Sequence, residues 1–400
     1  MRWASKLSRR ADAADALAEA AAALESQLGR GLDLVLAFAS PDHAPAFRRI
    51  AEMVGQRFPA ALAIGCTGGG VIGDAREAEG GPALSLTGAA LPDVALVGFH
   101  VETTSLPPPV AGAAAWRAAA AGDLSAQPKL LLLADPFTMD ARALVAGLDR
   151  AYPGAPKFGG LASGGRGPGE NRLLLGKEVH RSGAVGVALT GDVAVDTIIA
   201  QGCRPIGRPM LVTRCDGGLL QELDQRSPLL VLAEIHAALD PRDRELMQHS
   251  LFLGLEMREE RVEVQPGELL VRNIVGADER TGALVIGADL HPMQVVQFVL
   301  RDARTAEEDL RRMLERYRHS GRGGRPAGAL LFSCVGRGAG LFGRPDHDTT
   351  LFQEALGPAP LGGFFCNGEI GPVGGNTFLH GYTSAFALFR EGSRGRPLRR

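Results

Sequence analysis

Cys366, Asn367 and Glu369 stand almost side by side, and Asn376 and His380 follow closely. A core strand does not need a thiol, an amide, a carboxylate and an imidazole in so short a stretch. Gly368, Gly371, Gly374 and Gly375 separate them, and glycine lets backbone approach a ligand or turn sharply. Two chemistries fit these residue types. In the first, Cys366 is a nucleophile, His347 or His380 is its base, and Asp346 or Glu369 orients that base. Against it, a cysteine at a strand end often serves as a small buried apolar residue. In the second, nothing reacts. Arg337, between Gly336 and Gly338, offers a planar fork to a carboxylate, unless it is only a solvated loop arginine. Asn367, Glu369, Asn376 and His380 offer the opposite pole, for an ammonium or a hydroxyl. A small pocket with one basic and one acidic pole suits an amino acid.

Asp346, His347 and Asp348 are adjacent; they cannot all converge on one ion from a strand, although two can from a loop. Asp348 is expected to cap a helix over Thr349–Leu356, leaving His347 free to line a pocket. No metal or other cofactor is expected. Two glycine patterns, Gly68–Gly73 and Gly338–Gly343, match the dinucleotide-binding spacing, but neither is followed by the helix that such a site needs.

Three copies of one unit position these residues. Leu32–Phe38 reads as a buried strand, Phe47–Phe58 as a helix and Ala61–Cys66 as a second strand running into Thr67 and Gly68–Gly70. Leu130–Leu133, Ala141–Tyr152 and Lys157–Leu161 repeat the pattern before Gly164–Gly165. Ala329–Phe332, the helix after Asp348 and Leu361–Cys366 repeat it again before Asn367 and Gly368. Strand–helix–strand in this length implies parallel pairing by a right-handed crossover. Cys66 and Cys366 then occupy matching strand ends, which brings Cys66 and Thr67 into the candidate set. Ala83–Phe99, Gly183–Ala200 and Leu269–Ala288 read as hairpins. The expected fold is therefore α/β: repeated strand–helix–strand units in mixed sheets, with added antiparallel hairpins and two intimately packed halves. The divisions expected are an N-terminal helix in 1–30, a domain over 31–220, a second over 221–390, and a disordered basic tail over 391–400.

Composition excludes several classes. The chain has 400 residues, 45% of them apolar and 22% charged, with a formal net charge of −2. No basic surface for nucleic acid or membrane is indicated, and 5% aromatic residues do not furnish a base-stacking platform. The 5 cysteines are odd in number and widely spaced, as for reduced thiols in a cytoplasmic protein. The N-terminal stretch resembles neither a signal peptide nor a membrane span.

The run from Leu361 to Phe389, together with Phe332–Gly338 and Asp346–Asp348, resembles the C-terminal part of FIST-domain proteins, which combine a FIST-N and a FIST-C region. The likeness extends over about residues 30–390 and is most specific in the last sixty or so. It implies a sensory, small-ligand-binding module of the kind found in bacterial signalling proteins and in the F-box protein 22 family, with amino acids as suggested ligands. It also adds Asp346 to the residues expected to line the pocket. No F-box is expected before residue 30. The expectation is a signal-transduction module that binds a small polar molecule between its two halves at Gly-rich loops and engages a signalling partner. The alternative is a Cys366-dependent enzyme.

Overall fold

The computed structural model describes residues 1–124, 126–257, 269–321 and 325–392. Residues 393–400 of the expected C-terminal tail lie outside them, whereas Glu391, expected in that tail, ends the strand Ser384–Glu391. Two compact units form. One comprises Met1–Ile199, Arg311–Leu379 and Thr383–Arg400; the other comprises Ala200–Leu310 with His380–Tyr382.

The first unit carries the repeat. Leu34–Ala39, Phe47–Arg57 and Leu62–Thr67 form copy one; Lys129–Ala134, Ala141–Ala151 and Lys157–Leu161 copy two; Gly328–Cys334, His347–Leu356 and Leu361–Cys366 copy three. In every copy the two strands pair in parallel, as the crossover argument requires. Each pair sits at the centre of its own 6-stranded sheet. The strand that leaves each copy crosses to another. Gly70–Gly73 pairs with the last strand of copy three, Leu173–Leu175 with that of copy one, and Glu369–Val373 with that of copy two. The exchange is cyclic, so each copy completes the sheet of another.

Both faces of these sheets are buried, which explains the unbroken apolar runs. Leu34, Leu36 and Phe38 share a central core with Leu131, Phe158, Phe332 and Phe364, which come from the other two sheets. The alternate residues Val35 and Ala37 face outward onto Leu17, Leu24, Ile50 and Val54 of two helices, as a period of two dictates.

One glycine marks the same place in each copy. Gly65, Gly159 and Gly363 face Ala37, Leu132 and Leu331 across the parallel pair. A Cβ at any of them would overlap the carbonyl oxygen of that partner. Replacing any one by alanine is expected to destabilise by about 3 kcal/mol or more, since backbone rather than a side-chain tip must move. Chemical denaturation of the three variants checks this, and a loss below about 1 kcal/mol at any of them would contradict the close approach.

Two of the expected hairpins do not form. Leu84–Ala90 pairs with Arg2–Ser8 and Leu34–Ala39, whereas Val94–Val101 pairs with Ala184–Gly191 in another sheet. Likewise Ala184–Gly191 pairs with Lys129–Ala134, and Val193–Ala200 lies beside Ser384–Glu391. The apolar pattern of these strands suits any buried neighbour, so adjacency in the chain does not decide pairing. The third hairpin does form: Leu269–Asp278 pairs with Ala283–Ile286. The N-terminal segment also differs from expectation. Arg2–Ser8 is a strand, and the helix Ala13–Leu28 begins after the Asp12 cap, whose Oδ1 accepts from Ala14 N at 2.8 Å.

The main stretch of the second unit, Ala200–Leu310, lies between copies two and three in the chain. Its strands run from Cys203–Pro205 to Val295–Arg301, and pairing of Leu251–Glu256 with Val295–Arg301 closes a barrel. Residue 220, near the expected domain boundary, lies within its strand Leu219–Leu223.

Candidate functional site

The repeat supplies its own control for copy three. Counting from the marker glycines, Cys366 stands where the other copies have Gly68 and Ala162. Ser333 pairs with Phe365 as Ala39 pairs with Thr67 and Ala134 with Leu161. Glu369 pairs with Gly160 at the position held elsewhere by Val71 and Leu173. On the helix, Asp348 precedes Leu351 as Phe47 precedes Ile50 and Ala141 precedes Leu144. Four positions that are apolar or glycine in two copies are therefore polar in the third. All four side chains are buried, and burial of polar groups opposes folding unless they are paired. Cys66, by the same count, matches Gly160 and Phe364; it is two residues out of step with Cys366 and is a core residue beside Phe38.

Asp348 is the hub. Its Oδ2 accepts from Arg337 Nε and its Oδ1 from Arg337 Nη2, both at 2.8 Å. His347 Nδ1 lies 2.9 Å from Oδ1, and Ser333 Oγ 3.3 Å from Oδ2. Arg337 is only 1% exposed, so it is not a solvated loop residue, and two of its nitrogens are already committed. Burial opposes the Asp348 charge, but the Arg337 guanidinium and the hydrogen bond to His347 outweigh it and hold the carboxyl well below its usual range. Phe342 stacks on the His347 ring with centroids 3.3 Å apart, and its ring centre lies 5.2 Å from the Arg337 guanidinium carbon. Asp348 is not the helix cap. That place belongs to Asp346, in a left-handed conformation, whose Oδ1 accepts from Glu77 N at 2.6 Å.

Glu77 and Glu79 complete the cluster from the other end of the chain. Glu77 Oε1 accepts from Thr349 N at 3.0 Å, and Glu79 Oε1 from Ala339 N at 2.8 Å. Burial first, then the charge of Asp348, push the Glu77 carboxyl up to about 8. Two buried polar atoms bordering Asp348 have no hydrogen-bond partner among the described residues: Nη1 of Arg337 and Oε2 of Glu77. Neither glutamate was singled out from the sequence. The hairpin pairing of Ile72 with Glu77 fixes which face Glu77 takes.

Cys366 adjoins this cluster through Ser333. Its Sγ lies 3.4 Å from Ser333 O and 3.3 Å from Glu369 Oε1. Glu369 Oε2 accepts from Thr383 N at 3.1 Å. Burial and the Glu369 carboxylate push the thiol up, the reverse of an activated nucleophile. With a thiol reagent at neutral pH, the part-exposed Cys203 and Cys215 are expected to react on the order of 100-fold faster than Cys66 and Cys366. Peptide mapping reads this, and a Cys366 that labels first would restore the nucleophile.

The remaining candidates scatter. Thr67 is buried, and its Oγ1 accepts from Arg172 N at 3.0 Å. Asn367 and Asn376 are exposed, while His380 is buried and falls in the second compact unit. Among the described residues no group of three or more His, Cys, Asp or Glu side chains could hold a metal ion. No helix among them is long and apolar enough to cross a membrane.

Comparison with known proteins gives family matches over most of the chain. The FIST N domain model matches residues 33–226 and the FIST C domain model residues 229–372. An uncharacterised protein of Mycobacterium tuberculosis is 38% identical over 97% of this chain and 100% of its own length. One of Mycobacterium bovis is 37% identical over 94% of this chain and 96% of its own. An F-box/LRR-repeat protein of Arabidopsis thaliana is 30% identical over 30% of this chain and 25% of its own length. A solved cyanuric acid hydrolase from A. caulinodans aligns over 98% of this chain and 99% of its own, at 10% identity and a TM-score of 0.31, too low to carry an argument. With family models spanning both parts and full-length relatives at this identity, the chain belongs to the FIST family.

Proposed function

We propose that this chain is a sensory module whose ligand is a small polar molecule such as an amino acid, held at the polar cluster of copy three. FIST domains are generally described as small-ligand-binding signal-transduction sensors. The observation that carries the placement is the contrast between copies. Two keep apolar residues where the third buries Ser333, Asp348, Cys366 and Glu369, and beside these lie an unmatched donor on Arg337 and an unmatched acceptor on Glu77. The same frame closes twice without polar residues at these four positions. In this reading Arg337 Nη1 takes the ligand carboxylate and Glu77 takes the ammonium, giving up its own proton. The segment from Val335 to Asp346, which carries Phe342 and turns at Gly338 and Gly343 with φ of 69° and 68°, would then report occupancy to a signalling partner.

Titration calorimetry with the standard amino acids tests this. At least one is expected to bind at pH 7 with release of a proton, read from the dependence of the heat on buffer ionisation. Glu77→Gln is expected to weaken binding on the order of tenfold or more, about 1.4 kcal/mol. Because Glu77 is largely protonated at that pH, the glutamine variant should fold normally, which circular dichroism confirms. Absence of binding by every amino acid, or equal binding by the variant, would overturn the assignment.

A further inference from the structure

The second unit holds a cavity that the polar cluster does not use. It has a volume of about 370 Å³, within the range of small-molecule sites. The helix Pro228–Ala238 forms one wall and the strands Met210–Asp216 and Leu219–Leu223 another. Val231, Ile235 and Leu239 recur at helical spacing along the first wall, and Met210 and Leu223 face the same space. The body of the cavity is therefore apolar.

Two ion pairs line it, and they are not equivalent. Arg226 is clamped by Glu234 through both terminal nitrogens, which leaves little of its fork for a ligand. Arg208 Nη2 forms an ion pair with Asp224 Oδ2 at 2.7 Å, and Nη1 donates to Pro209 O at 3.3 Å. A guanidinium has five N–H donors, so Arg208 retains capacity. Asp224 is held in turn, its Oδ1 accepting from Leu211 N at 2.9 Å and its backbone at φ 47°. The acid is fixed by the turn, and it steadies the base at the cavity.

We propose that this cavity is a second ligand site, taking a small organic acid with an apolar aliphatic or aromatic body and its carboxylate on Arg208. The apolar walls bury the body, and the Arg208 guanidinium keeps donors for the carboxylate. This does not depend on the amino-acid reading of the first unit.

The test uses the full chain, with octanoate, 3-phenylpropanoate and indole-3-acetate as probes and 1-octanol as the uncharged control, all by calorimetry. At least one acid is expected to bind. Arg208→Gln should weaken that acid on the order of tenfold and leave octanol unchanged. Ala238→Trp, which fills the cavity from its exposed side, should abolish both. Glu77→Gln should alter neither. Failure of all three acids at millimolar concentration overturns the proposal, as does an Arg208→Gln or Ala238→Trp protein that binds like the parent. Loss of acid binding in Glu77→Gln would place the probe in the first unit and also refute it. Unchanged melting temperatures keep each comparison a measurement of binding.

Discussion

Replacing Asp348 by alanine is expected to cost about 3–5 kcal/mol of stability, the usual penalty for leaving a buried charge without its partner. Arg337 would keep its positive charge at 1% exposure and lose both hydrogen bonds at 2.8 Å. His347 and Ser333 would each lose a contact as well. In urea the midpoint should fall with little change in slope, since the surface exposed on unfolding is unchanged. The paired variant Arg337→Met with Asp348→Leu removes both charges. It should recover at least half of the loss, because an apolar pair of similar size often replaces a buried ion pair at little cost. The other two copies already show that the frame accepts apolar residues at the Asp348 position, Phe47 and Ala141. A double variant no more stable than Asp348→Ala would mean that the cluster is structural after all. The sign with pH follows from the depressed carboxyl. The contribution is full above the ordinary value of 3.8 and is lost only as pH falls well below it, so parent and Asp348→Ala should converge in acid.

Much of this was legible in the chain, and the rest fails for identifiable reasons. Leu34, Leu36 and Phe38 alternate with Val35 and Ala37 in a wholly apolar run, which announces a strand buried on both faces. Repetition of that run before a helix and a second strand gives the three parallel units. Partner choice beyond the units was not legible. Val94–Val101 and Ala184–Gly191 pair with each other, not with the strands adjacent to them in sequence, and nothing local distinguishes the two outcomes. Within the candidate site, Cys366 and Glu369 were visible as residue types. Their significance was obscured by aligning the copies on Cys66 and Cys366. Aligned on Gly65, Gly159 and Gly363, the same sequence shows Ser333, Cys366 and Glu369 of copy three at positions that are apolar or glycine in the other two copies. The fate of Arg337 needed its partners in space. Asp348 is 11 residues away, and Glu77 meets Thr349 across 272 positions. A charge buried against a distant charge carries no periodic signature.

The second large effect concerns Glu77 and runs the opposite way with pH. Its carboxyl titrates near 8 in the folded protein against an ordinary value of 4.5. Between those values the unfolded chain has released the proton and the folded chain retains it. The unfolded state thus binds fewer protons, and stability falls as pH rises through that window. At about 1.4 kcal/mol per unit the loss is roughly 3–5 kcal/mol by pH 8, and nothing further is lost above it. Glutamine at this position keeps the shape of the neutral acid and removes the titration. Glu77→Gln should therefore match the parent near pH 5 and exceed it increasingly toward pH 8, a difference that urea melts at several pH values resolve. Parallel curves for the two proteins would show that Glu77 is ionised throughout. That result would also remove the proton that a bound ammonium is expected to displace, whereas a widening gap shows a carboxyl held neutral beside Asp348. Such a group is stabilised in its charged form when a cation arrives, so the same measurement made with a bound amino acid should show the gap shrink. Folding and ligand capture would then be coupled through one proton on one side chain.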